Sequence, residues 1–272
     1  MKQKLDSFIF LEPTGTALDI LILFAAGVFA GALNALAGGG SFIIFPALLF
    51  VGVPPIMANA TNTYACLPGY GSGALGFRKD IAKHKDKLLW YSAVALVAGY
   101  FGAEALLLVS DAQFEAIIPW LMGFAVLAFA FGGKLNDWLS MRAAQSARPM
   151  RGGAILLGLL LIAICFYGGF FNAGLGIILL AYLVLAGYKD LNAMNGLKLL
   201  VSFLVSITAV VRFAMSGTIE WQSGTVALIG ATIGGYAAAR IAYLLPANLI
   251  RNFVIIYGVG LTVYFFWAQY GA

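Results

Sequence analysis

GALNALAGGGSFIIFP, residues 31–46, interrupts an apolar region with asparagine, glycine and serine. Three successive glycines, Gly38, Gly39 and Gly40, break a helix, because each costs about 1 kcal/mol against alanine in a helix interior. Asn34 stands one turn before the break and Pro46 shortly after it. A water-soluble domain would place such a stretch in a surface loop. Here both flanks are apolar, so the break falls in hydrophobic surroundings, where backbone polar groups need partners.

The rest of the chain is apolar too. Of its 272 residues 62% are hydrophobic and only 10% charged, against about 25% charged in an average globular protein. A hydrocarbon core of about 30 Å takes about 20 helical residues to cross. Apolar runs of that length lie near 17–37, 57–77, 88–109, 114–133, 152–172, 192–215, 222–245 and 250–270, and two runs near 41–52 and 175–187 are too short to cross straight. The expectation is an all-α polytopic membrane protein with about 8–10 membrane segments, one of them short and broken or re-entrant in each half. The ten-residue alternating strands of a membrane β-barrel are not found. Residues 1–16 read as an exposed or interfacial arm, since Glu12, Pro13 and Asp19 interrupt anything like a signal peptide. Cys66 and Cys165 fall within predicted spans and read as small packing residues, because two isolated thiols do not make a metal or redox centre.

The net charge is +5, and its distribution sets the topology. RKDIAKHKDK (78–87) carries five Lys or Arg and KLNDWLSMRAAQSARPMR (134–151) four, together nine of the sixteen basic residues. The positive-inside rule puts both loops in the cytoplasm, and the two spans between them are the even number that a shared side requires. Topology thus accounts for the basic loops, and no nucleic-acid partner is expected. His84, the sole histidine, reads as a solvated loop residue.

The chain also repeats itself in order. GALNALAGGG (31–40) is echoed by GGFFNAGLG (168–176), SFIIFPALLFVG (41–52) by IILLAYLVLAG (177–187), and NATN (59–62) by NAMN (192–195). Trp90 then corresponds to Trp221, and GFAVLAFAF (123–131) to GVGLTVYFF (258–266). The loop after the third segment is strongly basic in the first half, whereas SGTIEWQSG (216–224) has no Lys or Arg and holds Glu220. Equivalent loops therefore face opposite sides, the signature of an inverted-topology repeat. The expected organisation is an arm (1–16), a first membrane repeat (17–133), a basic linker (134–151) and a second repeat (152–272).

Irregular backbone survives in a membrane only inside protein or beside a water-filled cavity, and interruptions at matching places in two halves point to a transporter's binding site. Each interruption here precedes a short helix whose N-terminus would offer unpaired N–H groups and about half a positive charge to an anion. The candidate ligand groups are Asn34, Gly38, Gly39, Gly40 and Ser41 in the first break and Asn172, Gly174 and Gly176 in the second. A tight turn of small residues for helix packing is the structural alternative. Asn59 and Asn62, like Asn192 and Asn195, lie three apart and share a helix face. Lys198 follows Asn195 by three and supplies fixed positive charge, with snorkelling to an interface as its alternative role. Glu104 reads as a site for a coupling proton or the partner of a basic residue, Arg212 as a snorkelling cation or the partner of Glu220, and Asp19 as interfacial.

No catalytic residue, metal or cofactor is expected, since one loop histidine supplies neither HExxH nor a triad base, and GGGS lacks the lysine of a P-loop. The partners expected are a small anion and the lipid bilayer, with proton coupling and a homodimer left open. A secondary transporter, an anion channel and a non-transporting membrane assembly partner are the competing functions.

Asn-x3-Gly-Gly-Gly followed by a short apolar run and Pro, then NATNTYACLPGYGSGALGFRKD, resembles the TauE/SafE (TSUP) family. GGFFNAGLG, NAMNGLKLL and a Gly-x-x-x-Trp turn at SGTIEW extend the resemblance to nearly the whole chain, from about residue 20 to 268. The resemblance implies export of small sulfur-containing anions (sulfite, sulfoacetate or other organosulfonates) across the bacterial inner membrane. It maps the family's glycine-rich motifs onto Asn34, Gly38, Gly39, Gly40, Asn172, Gly174 and Gly176, and its Asn/Lys segments onto Asn59, Asn62, Asn195 and Lys198. The second glycine motif is shorter than the first, so Ser41 has no evident counterpart.

Overall fold

The computed structural model describes residues 16–36, 39–145, 153–241 and 247–271. Among them the regular structure is helical. The first half contains α1 (Ala17–Leu36), the short α2 (Ser41–Phe50), α3 (Pro55–Gly76), one turn α4 (Arg78–Ile81), α5 (Lys85–Leu107) and α6 (Asp111–Gln145). The second contains α7 (Gly153–Phe170), the short α8 (Leu175–Leu185), α9 (Leu191–Met215), α10 (Trp221–Ile241) and α11 (Ala247–Tyr270). The basic stretch that starts at 134 is a continuation of α6 as far as Gln145.

Among the described residues six stretches are long and apolar enough to cross a membrane: Ala17–Asn34, Arg78–Leu107, Asp111–Gly132, Gly153–Phe170, Leu191–Met215 and Asn252–Tyr270. Helices α3 and α10 have 22 and 21 residues and are rich in Gly and Thr, about 30 Å or a little more at 1.5 Å per residue. The molecule is an all-α polytopic membrane protein.

Local chemistry explains where the helices start and stop. Asp190 caps α9 by accepting from the Asn192 amide (2.9 Å), and Glu220 accepts from the Ser223 amide (2.6 Å) at the start of α10. At α1, the Thr16 hydroxyl accepts from the Asp19 amide (3.2 Å) and donates to its carboxylate (2.6 Å). Asp19 is thereby buried in a capping pair at the first turn of the span. Both short helices end in the same way: Gly52 and Gly187 adopt left-handed φ of 86° and 87°, and the amides of Val53 and Tyr188 return to the carbonyls of Leu48 and Leu183 at 3.0 Å each. This is the glycine-dependent Schellman stop, placed at matching positions of the two repeats.

Packing exchanges helices between the halves. With the one-turn α4 left out of the count, the first helix of each half lies on the fourth of the other, α1 on α10 and α7 on α5. The third helix of each half packs on the fourth of the other, α3 on α10 and α9 on α5, while α3 pairs with α9 and α6 with α11. In the α1–α10 contact, Gly27 and Gly31 face the backbone of Ala227 and Ala231, and Gly230 and Gly234 face that of Phe24 and Val28, so a methyl group at any of them would meet a carbonyl. Small residues four apart on both helices let the backbones close, the usual device of helix pairs in lipid. Gly102 against Phe166, and Gly169 against Gly99, do the same between α5 and α7.

Equivalent helices run antiparallel. Gly196, in the second turn of α9, lies against Phe77 and Ile81 just beyond the end of α3, while the Glu220 amide beyond the other end of α9 donates to Thr61 Oγ1 in the second turn of α3 (2.9 Å). The Tyr270 hydroxyl, at the end of α11, donates to the Ala116 carbonyl near the start of α6 (2.7 Å). The inverted repeat read from the charges has this geometry.

Candidate functional site

The short helices α2 and α8 are the pieces the breaks create, and they point in opposite directions. Beyond the C-terminus of α2, the Ile56 amide donates to Asp111 Oδ1 (3.1 Å), beside the turn joining α5 to α6. Beyond the C-terminus of α8, Tyr188 meets His84 edge-on at 4.9 Å and Lys87 Nζ lies 5.0 Å above its ring, at the opposite end of α5. His84 is therefore half-buried against Tyr188 and not simply solvated. Both N-termini accordingly turn inward. They meet the same helix: a Cβ on Gly39 would lie 3.5 Å from the Phe129 ring, and one on Gly174 3.2 Å from Ala125 Cβ. Ala125 and Phe129 stand one turn apart on α6, about 6 Å along its axis.

The two breaks differ in construction. Gly40 enters α2 with helical φ −55°, whereas Gly174 enters α8 with left-handed φ 78°, which L-residues adopt only at a cost. Gly38 lies outside the described residues. Asn34 is half-buried, and its Nδ2 lies 3.1 Å from where a Cβ on Gly69 of α3 would stand. Asn172 is buried and fully engaged: the Tyr70 hydroxyl of α3 donates to its Oδ1 (2.8 Å), and its Nδ2 donates to Ser206 Oγ of α9 (2.8 Å). The Tyr167 hydroxyl holds the same turn by donating to the Ala173 carbonyl (2.8 Å).

Ser41 connects the first break to this network. Its hydroxyl lies 3.7 Å from Cys66 Sγ, Cys66 donates to Asn62 Oδ1 at 3.7 Å, and Ser41 also neighbours the Tyr70 hydroxyl. Cys66, expected as a packing residue, is buried as expected but sits between two polar side chains of the site. Asn59 is buried one turn away on α3, and its Nδ2 donates to the Phe170 carbonyl at the end of α7 (2.9 Å). Its Oδ1 and the buried Ser202 Oγ of α9 have no hydrogen-bond partner among the described residues. A buried polar atom left so costs about 1–3 kcal/mol, and each is a group that water or a ligand would satisfy.

Lys198 lies on α9 beside the second break. Its aliphatic chain crosses the first turn of α8, with Cδ 3.3 Å from where a Cβ on Gly176 would be, and Nζ donates to Asn195 Oδ1 (3.1 Å). The side chain is half-buried, and it adds a positive charge to the N-terminal end of α8. Asn192, expected on the same face as Asn195, is exposed at the capped start of α9. Asn34, Gly39, Gly40, Ser41, Asn62 and Asn172 thus lie around one α3–α6–α9 region, and Gly174, Gly176, Asn195 and Lys198 form its other flank. Asn59 adjoins it at the end of α7.

Tyr70, Ser202 and Ser206 were not among the expected site residues. Spacing carries a signal for them: Asn59, Asn62, Cys66 and Tyr70 recur every three or four residues along α3, as do Asn195, Lys198, Ser202 and Ser206 along α9. Glu104 pairs with Arg212, joining α5 to α9. Arg212 therefore does not pair with Glu220, whose carboxylate caps α10.

The sequence profile of the family described as "Sulfite exporter TauE/SafE" matches residues 23–265. A "Probable membrane transporter protein" of Haemophilus influenzae is 32% identical over 88% of this chain and 91% of its own. The "Probable membrane transporter protein ORF9" of a Sinorhizobium species is 27% identical over 90% and 91%, and the "Probable membrane transporter protein YfcA" of Escherichia coli is 29% identical over 86% and 85%. No solved structure matches the chain. With two broken helices facing inward and a profile match across nearly every span, the chain belongs to the TauE/SafE family of multi-pass membrane transporters.

Proposed function

We propose that this protein is a secondary transporter of the bacterial inner membrane that exports small sulfur-containing anions, such as sulfite, sulfoacetate or other organosulfonates, by alternating access. The observation that carries this reading is the Tyr70–Asn172–Ser206 chain of hydrogen bonds, which ties the second break to the third helix of each half, with Ser41 of the first break alongside. Two helix N-termini, neutral amides and hydroxyls, and the single ammonium of Lys198 make a site that attracts an anion yet does not hold it irreversibly. The family's description, a sulfite exporter, supports the choice of sulfur anions.

The basic segments 78–87 and 134–151 face the cytoplasm on this reading, which sets α8 and Lys198 toward that side and Glu104 toward the other. Binding at the breaks favours a movement of the α3–α9 pair relative to α6, alternately opening each end. Glu104 is the group through which a proton couples to the anion.

Counterflow in proteoliposomes tests the reading. Vesicles preloaded with unlabelled sulfite or sulfoacetate should accumulate the labelled anion transiently, with a saturable rate. A linear, unsaturable flux with no counterflow would assign an anion channel instead, and no flux of any sulfur anion would leave a membrane assembly partner.

A further inference from the structure

Two cations lie on the polar stripe of α9, one on each side of the Asn172–Ser206 contact. Lys198 precedes Ser206 by eight residues and Arg212 follows it by six, about 12 and 9 Å along the axis. At 100° per residue Arg212, Lys198, Ser202 and Ser206 fall within one third of the helix circumference, with buried Ala209 between the last serine and Arg212. Lys198 is held by a neutral amide of its own helix. Arg212 is held by a carboxylate from the other repeat: its Nε donates to Glu104 Oε2 of α5. The second ion pair, Lys83–Asp80, lies within one exposed loop at 2.7 Å, so Glu104–Arg212 is the ionic tie between the halves among the described residues.

Neither member is sealed in. The side chains of Arg212 and Glu104 keep 21% and 32% of their exposure, in the last turns of their helices and at the end opposite the basic loop. The helices packed on α5 are α7 and α9. Around Glu104, α5 itself offers Tyr100 one turn away, α7 carries Cys165 and Tyr167 in its last turns, and α9 offers Arg212 alone. Cys165 is buried and the Tyr167 hydroxyl is committed to Ala173. Among the described residues the guanidinium thus has one anionic partner, and Glu104 one cationic partner.

We propose that Arg212 is a second anion-docking residue, on the side away from the basic loop, and that Glu104 occupies it when no anion is bound. A small sulfonate or sulfite competes with the carboxylate for the same planar N–H donors. Protonating Glu104 removes the competitor, so acid on that face strengthens anion docking there. This inference rests on the transport reading and gives Glu104 a defined role, the coupling of a proton to the occupancy of Arg212. An anion leaving the Asn172–Ser206 region meets Arg212 at the far end of the same stripe, and exchange with Glu104 releases it.

The test uses right-side-out and inside-out membrane vesicles with radiolabelled sulfite as probe, and phenylglyoxal labelling of Arg212 read by mass spectrometry, with Arg78 as internal reference. R212Q should raise the apparent sulfite constant on the outer face about tenfold, the scale of one charge-assisted hydrogen bond, and leave the cytoplasmic-face constant within about twofold. E104Q should flatten the acid dependence on the outer face. It should also speed Arg212 labelling several-fold relative to Arg78, and methanesulfonate should slow that labelling. Because R212Q leaves Glu104 without a partner, the E104Q/R212Q double variant serves as the control: it removes both charges, and its outer-face constant should stay raised. Equal effects of R212Q on both faces, or Arg212 labelling unchanged by E104Q and by methanesulfonate, would overturn the proposal. Absence of saturable sulfite flux in wild-type vesicles would instead contradict the transport reading, while the labelling arm would still decide the role of Arg212.

Discussion

The two breaks descend from one motif yet are held by different forces. In the first break the described residues lie close to backbone and side chains: Gly40 keeps a helical backbone, a Cβ there would lie 2.9 Å from the Ala30 carbonyl, and Asn34 rests over Gly69. Around Asn172–Gly176 the chain is fixed by hydrogen bonds to two other helices and by the left-handed turn at Gly174. Only the second has an ammonium on its short helix, from Lys198. Position 65, which answers to Lys198 in the repeat, is Ala65. The two breaks thus present helix N-termini to the same side of α6, one beside packed glycines and the other beside an ammonium. The first break reads as the closer-packed wall and the second as the binding wall.

This contrast can be broken by substitution. Lys198→Ala should have the largest effect, a loss of about 100-fold in transport, the size expected when a charged partner of a desolvated anion is removed, with folded protein still in the membrane. Unchanged transport would take Lys198 out of the site. Asn172→Ala should raise the apparent substrate constant about tenfold, since it deletes a group bonded to both Tyr70 and Ser206. Asn34→Ala and Ser41→Ala should raise it only about two- to threefold, the scale of weaker polar contacts. Equal effects at Asn34 and Asn172 would restore a symmetric site, and no effect at either would make both breaks purely structural.

Much of this was legible in the sequence because membranes impose simple rules. Span lengths, the short runs at 41–52 and 175–187, and the order of the repeat follow from hydropathy and glycine placement. The opposite orientation of α3 and α9 follows from the charges of equivalent loops, whereas their packing on one another does not. Less legible was anything set by exchange between the halves. Nothing local in GVFAG (27–31) says that α1 leaves its own repeat to close on GATIG (230–234), although paired small residues four apart are the right signal. Tyr70 was missed because its partner, Asn172, is 102 residues away. Glu104 and Arg212 were both noticed, but a stripe on one helix cannot identify a partner on another. Snorkelling or pairing with Glu220, its neighbour in sequence, are the readings Arg212 allows locally, and a basic partner for Glu104 stays unnamed.

The central claim is that the two broken helices and Lys198 hold one small sulfur-containing anion. Thermal unfolding of the purified protein with sulfite, sulfoacetate, taurine, thiosulfate and acetate tests it most directly. A ligand at 100 times its dissociation constant adds about 2.7 kcal/mol to the native state, a shift of a few degrees for a protein of this size. The account predicts that at least one sulfur anion produces such a shift in the wild type, that acetate does not, and that Lys198→Ala and Asn172→Ala abolish it. No shift with any sulfur anion, or a shift that persists undiminished in both variants, would contradict it.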